Sequence, residues 1–436
     1  MKVGIIGAGY VGLPTGLGLA ELGHKVICAD NDINKIKSLN SGNITFYEKG
    51  FEKPLLKNIK SGNISFTSSV GECVSKSDVV IIAVGTPILD SALDMSDMNG
   101  IFEVIKQIAP ILGRYKLIAV KSTVMPGTCD AVETLIKKIN PDAGFDVVSL
   151  PEFLREGFAF EDFFNPDRII AGAKNAKAKK IIKKLYSGLL KKTKIIFVNR
   201  QSAELIKYAS NSFLALKIGF INELADFCEK TKADIKEVSS GIGLDKRIGQ
   251  AFLNPGPGYG GSCFPKDTKS LKSMAKINGV EMPILNALIK SNDNRKKQIA
   301  FKILKHIKNI KKSKVAVLGL AFKAGTDDCR ESPAVEIVRE LLQYNVKIAA
   351  YDPKCMDNCR KILGGKIEYS KNIYDAAKGA DVVAVLTEWD EFKNINFKKL
   401  YSVMKSKNIV DARNIVNFEQ ALKYKFQYDC IGGKNA

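Results

Sequence analysis

A chain of 436 residues is too long for one ordinary core and predicts two or three domains, and no window approaches the roughly 18 consecutive apolar residues of a membrane span. Nine scattered cysteines and two distant histidines, without a CxxC pair, predict neither a metal site nor a disulfide framework. The net charge of +21 would suit nucleic acid, an acidic membrane or an anionic small substrate, but the lysines are spread evenly and a general lysine bias explains the charge equally well.

The first segment is a strand, a glycine turn and a helix. The apolar run 2–6 leads into Gly7-Ala8-Gly9-Tyr10-Val11-Gly12, and small residues follow as far as Leu22. In a dinucleotide-binding fold these glycines form the turn, admit the pyrophosphate to the helix N-terminus and let helix and strand pack closely. A second apolar run ends at Asp30, whose carboxylate suits the ribose hydroxyls and repels a 2′-phosphate, so NAD is expected, with Lys35 near the same ribose.

Three further apolar runs, 78–84, 117–121 and 146–149, each end in turn residues. Ligands bind at the carboxyl ends of parallel strands, so Thr86 and Thr123 are predicted to contact the nicotinamide half of the cofactor. The third run leads to Glu152 and Glu156, four residues apart. They are either ordinary surface charges or part of the site.

Residues 202–232 are predicted to form one long helix, with Leu205, Tyr208, Ala209, Ser212 and Leu216 on its apolar face. Lys207 and Asn211 share another face and form a donor pair suited to a developing oxyanion, unless they are an exposed polar stripe. The helix is long and apolar, so we expect it to bridge domains and to pack against another subunit.

The stretch 256–267, GPGYGGSCFPKD, places Cys263 behind four glycines and before a predicted helix. Backbone N–H groups at a helix N-terminus favour a thiolate, so Cys263 is a candidate nucleophile, with Lys266 and Asp267 close by. The alternative is a buried structural cysteine.

A strand and glycine turn begin again at Lys314, repeating the KVxxxG of Lys2, so a second doubly wound domain is predicted. Its turn lacks GxGxxG but carries Lys323 and Arg330, two cations that suit a diphosphate. The expected fold is α/β, with Rossmann-like domains at 1–200 and 312–436 joined by a long central helix and a helical dimerisation region at 201–311.

The motifs GAGYVG, STVMPGT, PEFLREG, FLNPGPGYGGSCFPKD, AFKAGTDDCRES and DARN span nearly the whole chain. In this order they resemble the UDP-glucose/GDP-mannose dehydrogenase family, whose UDP-glucose enzymes have the most similar cysteine loop. The resemblance implies a homodimer that oxidises UDP-glucose to UDP-glucuronate, forming two NADH, with the half-oxidised sugar held as a thiohemiacetal and then a thioester on Cys263. A cytoplasmic location is expected separately, because the sequence shows neither a membrane span nor a signal-peptide pattern.

The resemblance also implies residue roles. The implied catalytic residues are Cys263, Lys207, Asn211, Asp267, Thr123, Glu152 and Glu156. The implied cofactor-binding residues are Gly7, Gly9, Tyr10, Val11, Gly12, Asp30, Lys35, Thr86, Thr123, Glu156, Lys266 and Arg330. The implied substrate-binding residues are Glu152, Phe153, Leu154, Arg155, Lys207, Asn211, Arg247, Phe252, Leu253, Asn254, Pro255, Gly256, Gly260, Phe322, Lys323 and Arg413, with Arg247 reaching the neighbouring subunit's site.

Two other functions are weighed. A two-electron β-hydroxyacid dehydrogenase also joins a Rossmann domain to a helix with lysine and asparagine four apart, but it needs neither a nucleophilic cysteine nor a third domain. A basic nucleic-acid-binding protein is suggested only by the charge, and no interleaved basic and aromatic motif supports it, so no nucleic acid is expected as a partner.

Overall fold

The computed structural model describes residues 1–88 and 94–433. Contacts divide the chain into two compact units, Met1–Ser210 and Asn211–Ala436. Within the described residues, no helix combines the length and apolar character needed to cross a lipid bilayer.

The first unit alternates strands and helices. Its strands are β1 Lys2–Ile6, β2 Lys25–Ala29, β3 Ile64–Thr67, β4 Val79–Ile82, β5 Lys116–Val120, β6 Phe145–Ser149, β7 Ile169–Gly172 and β8 Ile195–Val198. Its helices are α1 Gly12–Glu21, α2 Ile33–Asn40, α3 Glu52–Lys60, α4 Val70–Ser75, α5 Asn99–Ile108, α6 Thr128–Ile139, α7 Ala159–Phe164 and α8 Ala176–Leu185.

The sheet of the first unit has the order β3-β2-β1-β4-β5-β6-β7-β8. Its neighbours pair in parallel, with Ile5 opposite both Cys28 and Ile81, except that β6 and β7 are antiparallel. The central strands are apolar throughout because helices cover both faces of the sheet. Strand order reverses between β1 and β4, and a doubly wound sheet binds its ligand at this switch point.

Helix α9 Arg200–Thr231 is continuous over 32 residues, as the sequence predicts. Residues 200–210 belong to the first unit and residues 211–231 to the second. The prediction of its apolar face is wrong at two positions, because Leu205 and Ala209 are exposed. The buried positions include Glu204, Lys207 and Asn211, whose polar groups have partners described below.

The second unit continues with helices and a second sheet. Its helices are α10 Ile235–Gly243, α11 Phe264–Ile277, α12 Pro283–Leu304, α13 Pro333–Gln343, α14 Met356–Leu363, α15 Ile373–Ala377, α16 Asp390–Lys393, α17 Phe397–Val403 and α18 Phe418–Lys423. Its strands are β9 Lys314–Leu318, β10 Lys347–Tyr351, β11 Glu368–Tyr369, β12 Val382–Val385, β13 Asn408–Asp411 and β14 Gln427–Cys430. Their order, β11-β10-β9-β12-β13-β14, is that of a Rossmann sheet and confirms the predicted fold class.

Candidate active site

The glycines of the first turn differ in what surrounds them. Gly7 has a φ of +97°, a conformation that favours glycine. A Cβ at Gly12 would lie 1.7 Å from the carbonyl oxygen of Gly7, so Gly12 lets helix and strand meet. A Cβ at Gly9 would meet none of the described atoms within 4 Å. Open space at the N-terminus of α1 fits the pyrophosphate of a dinucleotide, beside the half-buried Tyr10 and Val11.

Asp30 lies at the end of β2 and is fixed by three donors. Its carboxylate accepts hydrogen bonds from Ala8 N at 2.8 Å, Asp32 N at 3.0 Å and Lys35 Nζ at 2.9 Å. Burial alone would raise the pKa of Asp30, but these donors outweigh it and hold the pKa below its ordinary value. The carboxylate is therefore ionised beside the glycine turn, and Lys35 lies next to it as the sequence suggests.

The loops after β4 and β5 touch each other. Thr86 Oγ1 donates to the carbonyl oxygen of Thr123 at 3.0 Å, and Ser122 Oγ donates to that of Val84 at 2.6 Å. The structure thus brings together the two threonines proposed for the nicotinamide half, at the carboxyl edge of the sheet.

Glu152 and Lys207 form a buried ion pair in the first unit. Lys207 Nζ lies 2.8 Å from Glu152 Oε1, and both side chains are less than a tenth exposed. Burial alone would raise the pKa of Glu152, but the charge and hydrogen bond of Lys207 hold it below the ordinary value. Glu152 is therefore not an ordinary surface charge, and Lys207 is not part of an exposed polar stripe.

The PEFLREG segment follows β6, and its Phe153, Leu154 and Glu156 are partly buried. Phe153 has the Arg168 guanidinium 4.0 Å from its ring centre. Leu154 packs against the core, and Glu156 is half-buried. The backbone here is also held by Glu48, whose carboxylate accepts hydrogen bonds from the N–H groups of Gly157 and Ala159.

In the second unit, Cys263 is the N-cap residue of α11 and is half-buried. Its carbonyl oxygen accepts the N–H of Asp267 at 2.8 Å. The Asp267 carboxylate is fully buried, accepts Asn211 Nδ2 at 2.6 Å and pairs with Lys266. The prediction that Cys263 begins a helix is confirmed, and Asn211, Asp267 and Lys266 form one connected group.

The glycine loop, residues 256–261, precedes Cys263 and is tightly packed on one side. Gly256 N donates to Asn222 Oδ1, and Arg295 Nε donates to Gly256 O. A Cβ at Gly260 would lie 2.3 Å from the carbonyl oxygen of Glu331, so glycine is needed there. Phe252 has a φ of +66°, Leu253 and Pro255 are buried, and Asn254 is exposed.

The turn after β9 lies against this glycine loop. The Phe322 ring would be 2.8 Å from a Cβ at Gly261, and Arg413 Nη2 donates to Phe322 O at 2.9 Å. Lys323 Nζ lies 5.6 Å from the Phe322 ring centre. Gly256, Gly260, Phe322, Lys323 and Arg413 are therefore brought together within the second unit.

Three arginines predicted to contact ligands form ion pairs with nearby carboxylates. Arg155 pairs with Asp162, Arg247 with Asp245 and Arg330 with Asp328, each at 2.6 Å. All three side chains are more than half exposed, and that of Arg247 is 89% exposed.

Sequence reasoning missed two residues near these groups. Lys121, directly after β5, is buried, and burial lowers its pKa to about 8 although the negative charge of Glu152 raises it. Asp352, which follows β10, accepts the N–H groups of Leu320 and Ala321 and the indole N–H of Trp389. Asp352 thus has the same role in the second sheet as Asp30 has in the first. An acidic residue directly after an apolar strand is the sequence pattern that could have identified it.

An open glycine turn and a strand-end acid in the first sheet, followed by a second sheet of Rossmann order, define a dinucleotide-binding dehydrogenase with a further nucleotide-binding domain. Matches to protein-family models support this class of protein. The NAD binding domain of the UDP-glucose/GDP-mannose dehydrogenase family matches residues 1–190, its central domain residues 201–294 and its UDP binding domain residues 316–418.

Individual relatives extend over the full chain. The chain is 43% identical to UDP-glucose 6-dehydrogenase of Rhizobium meliloti, with 99% of both chains covered. It is 42% identical to the Rickettsia conorii enzyme of the same name over the whole of both chains. The structure of a UDP-glucose dehydrogenase from Pyrobaculum islandicum matches with a TM-score of 0.92 and 34% identity over 99% of this chain and 98% of that one.

The chain belongs to the UDP-glucose/GDP-mannose dehydrogenase family. It is an NAD-dependent dehydrogenase with a UDP-binding domain, which confirms the predictions of family, cofactor and enzyme class.

Proposed function

We propose that the protein oxidises the C6 alcohol of UDP-glucose to the carboxylate of UDP-glucuronate and forms two NADH per sugar. The names of its relatives and the family's UDP binding domain support this substrate. The observation that carries the covalent mechanism is Cys263 at the N-cap of α11, followed one turn later by a buried carboxylate that binds Asn211. A thiol at a helix N-terminus is favoured as thiolate, the form that attacks carbonyl carbon.

NAD, when bound at the glycine turn, accepts the hydride that each of the two oxidations removes from C6. Cys263 attacks the aldehyde carbon, forming a C–S bond and a thiohemiacetal that keeps the sugar in place. After the second oxidation the adduct is a thioester, and water breaks the C–S bond to release the carboxylate and the thiol. Covalent capture thus allows one site to oxidise the same carbon twice.

The remaining roles are those that the family resemblance implies. Lys207 and Asn211 are one turn apart on α9 and would donate hydrogen bonds to the C6 oxygen as it becomes negative. Asp267 and Thr123 would position water and relay protons, while Glu152 and Glu156 would assist hydrolysis and border the ligands. The Glu152 carboxylate lies 2.8 Å from Lys207 Nζ and compensates the buried positive charge that the oxyanion role requires.

The UDP-sugar is assigned to the second unit. The segment Phe252 to Gly256, together with Gly260, Phe322, Lys323 and Arg413, would hold the sugar and diphosphate. Lys266 and Arg330 would approach the cofactor. The proposed domain bounds remain 1–200, 201–311 and 312–436, and the cytoplasm remains the expected location.

We also propose a homodimer built on α9. Phe213, Phe220 and Phe227 are spaced by seven residues, so they lie along one face, and each is more than half exposed. A row of exposed aromatic side chains on a helix is typical of a protein–protein interface. The exposed Arg247 would then serve the site of the neighbouring subunit.

The test is product analysis with UDP-glucose, GDP-mannose and UDP-N-acetylmannosamine in parallel, counting NADH per sugar consumed. Two NADH with UDP-glucose are expected, whereas one NADH would support the two-electron β-hydroxyacid dehydrogenase. Cys263→Ser should abolish glucuronate release and preserve NAD and UDP binding, with Cys430→Ser as the control. Unchanged turnover in Cys263→Ser would exclude the covalent mechanism.

A further inference from the structure

The glycine loop is held by polar side chains of two helices of the second unit. The loop is buried and lies outside any helix or strand, so its backbone N–H and C=O groups need partners from elsewhere. Four of its six residues are glycines, so its backbone is flexible unless other groups bind it. Partners come from Asn222 on α9 and from Asn292 and Arg295 on α12.

Asn292 binds both backbone polar groups of Tyr259. Its Oδ1 accepts the N–H of Tyr259 at 2.8 Å, and its Nδ2 donates to the carbonyl oxygen of Tyr259 at 3.1 Å. A residue in an antiparallel sheet is bound in the same way by its partner on the next strand. The Asn292 side chain is buried, and a buried amide is stable only when its polar groups have partners. Asn292 and Tyr259 therefore satisfy each other inside the protein.

A second pair of contacts holds the start of the loop. Asn222 Oδ1 accepts the N–H of Gly256 at 2.8 Å, and Arg295 Nε donates to the carbonyl oxygen of Gly256 at 3.1 Å. Arg295 also pairs with Asp226 of α9, so the same guanidinium joins the two helices and the loop. The backbone of the loop is thus fixed at Gly256 and again three residues later.

Tyr259 connects these contacts to the candidate nucleophile. Its ring is buried and meets the ring of Phe264 edge-on, with the ring centres 6.4 Å apart. Phe264 is the first residue of α11 and directly follows Cys263. A Tyr259 that is held in place therefore also supports the start of the helix at which the thiol lies.

We propose that Asn292 is a positioning residue for the sugar end of the substrate. By binding Tyr259 it keeps the glycine loop in the shape that receives the sugar beside Cys263, and it acts through the loop. This inference rests on the proposed function of the second unit. The loop has no charged side chain, whereas the turn after β9 carries Lys323, so the loop suits the sugar and the turn suits the diphosphate.

The test compares the binding of UDP-glucose and of UDP to the full-length protein by calorimetry, without NAD. Asn292→Asp keeps the size of the side chain and an acceptor for Tyr259 N but loses the donor to Tyr259 O, and Asn292→Ala loses both bonds. In both variants the affinity for UDP-glucose should fall roughly tenfold, the loss of about one hydrogen bond, and that for UDP should stay within about twofold. Asn408→Ala, which removes two hydrogen bonds to backbone carbonyls at the start of β13, should change neither affinity.

Equal losses of UDP and UDP-glucose affinity would show that Asn292 only supports the folding of the second unit, and would overturn the proposal. An unchanged UDP-glucose affinity in Asn292→Ala would overturn it as well. The hold on the loop is scored separately, because hydrogen exchange of the peptide covering residues 256–261 should be roughly tenfold faster in both Asn292 variants and unchanged in Asn408→Ala. A wild-type protein that does not bind UDP-glucose, with this difference in exchange present, would instead count against the proposed function.

Discussion

The ammonium of Lys207 and the carboxylate of Glu152 meet at 2.8 Å inside the first unit, each almost fully removed from solvent. Removing one partner from a buried pair leaves a charge without compensation, at about 3–5 kcal/mol. Lys207→Met should therefore lower both the urea midpoint and turnover, and the double variant Lys207→Met/Glu152→Leu should recover stability but not turnover. Lys106→Met, which removes an exposed pair with Glu103, is the control. Equal effects of the single and double variants would argue against the pair.

A substitution at Gly9 should affect NAD binding without affecting folding. Its Cβ position is free of described protein atoms, so Gly9→Ala should change the free energy of unfolding by less than about 1 kcal/mol. NAD affinity should fall at least tenfold, because the methyl group occupies the space proposed for the pyrophosphate. Calorimetry and urea unfolding measure the two effects. Gly113→Ala, also at an open position, should change neither, and normal NAD affinity in Gly9→Ala would contradict the placement.

Asp30 should set the preference for NAD. Asp30→Ser keeps an oxygen acceptor for Ala8 N but removes the negative charge that repels a 2′-phosphate. We expect NAD to be weakened more than NADP, read from kcat/KM for each cofactor. Lys35→Met leaves Asp30 charged without its cation and should shift the preference the other way. An unaltered cofactor ratio in Asp30→Ser would show that the ribose lies elsewhere.

Phe220 is the central member of the exposed row on α9. Phe220→Glu would place a charge in the proposed interface, so light scattering should report a monomer where the wild type is a dimer. Ile111→Glu, at an exposed apolar position of the first unit, should remain dimeric. A monomeric wild type, or a dimeric Phe220→Glu, would contradict the assignment.

Glu133 links α6 to the start of α9 and should contribute stability that depends on pH. Burial alone would raise its pKa, but hydrogen bonds from Lys137, Lys174 and Arg200 lower it to about 2 from an ordinary 4.5. Between these values the unfolded chain binds more protons, so this contribution is complete above about pH 4.5 and lost as the pH falls toward 2.

Glu133→Gln should therefore lower the urea midpoint at neutral pH and make it fall less steeply on acidification to about pH 3. Glu103→Gln, in an exposed pair, should follow the wild type. Parallel acid profiles for Glu133→Gln and wild type would contradict the low pKa.

The features that sequence predicts well are local. Short patterns of apolar residues, glycine and proline predict the strand, glycine turn and helix at Gly7 and the strand and glycine turn at Gly319. They also predict the helix after Cys263 and the whole of α9. They could be predicted because each depends on neighbours within a few residues.

The buried face of α9 could not be predicted in the same way. Periodicity placed Leu205 inside, yet Glu204 is buried because its carboxylate accepts the N–H groups of Gly127 and Cys129. Asn211 is buried because Asp267, 56 residues away, accepts its amide. Short sequence patterns do not reveal partners that are so distant in the chain. The role of Glu48 was not predicted for the same reason.

One contact in the second unit makes the protein convenient to study. Trp389 is the single tryptophan of the chain, and its indole N–H donates to Asp352, which also binds the backbone of Leu320 and Ala321. Indole emission excited at the red edge therefore arises in the second unit alone. It provides a label-free optical reporter of this turn, without background from the first unit.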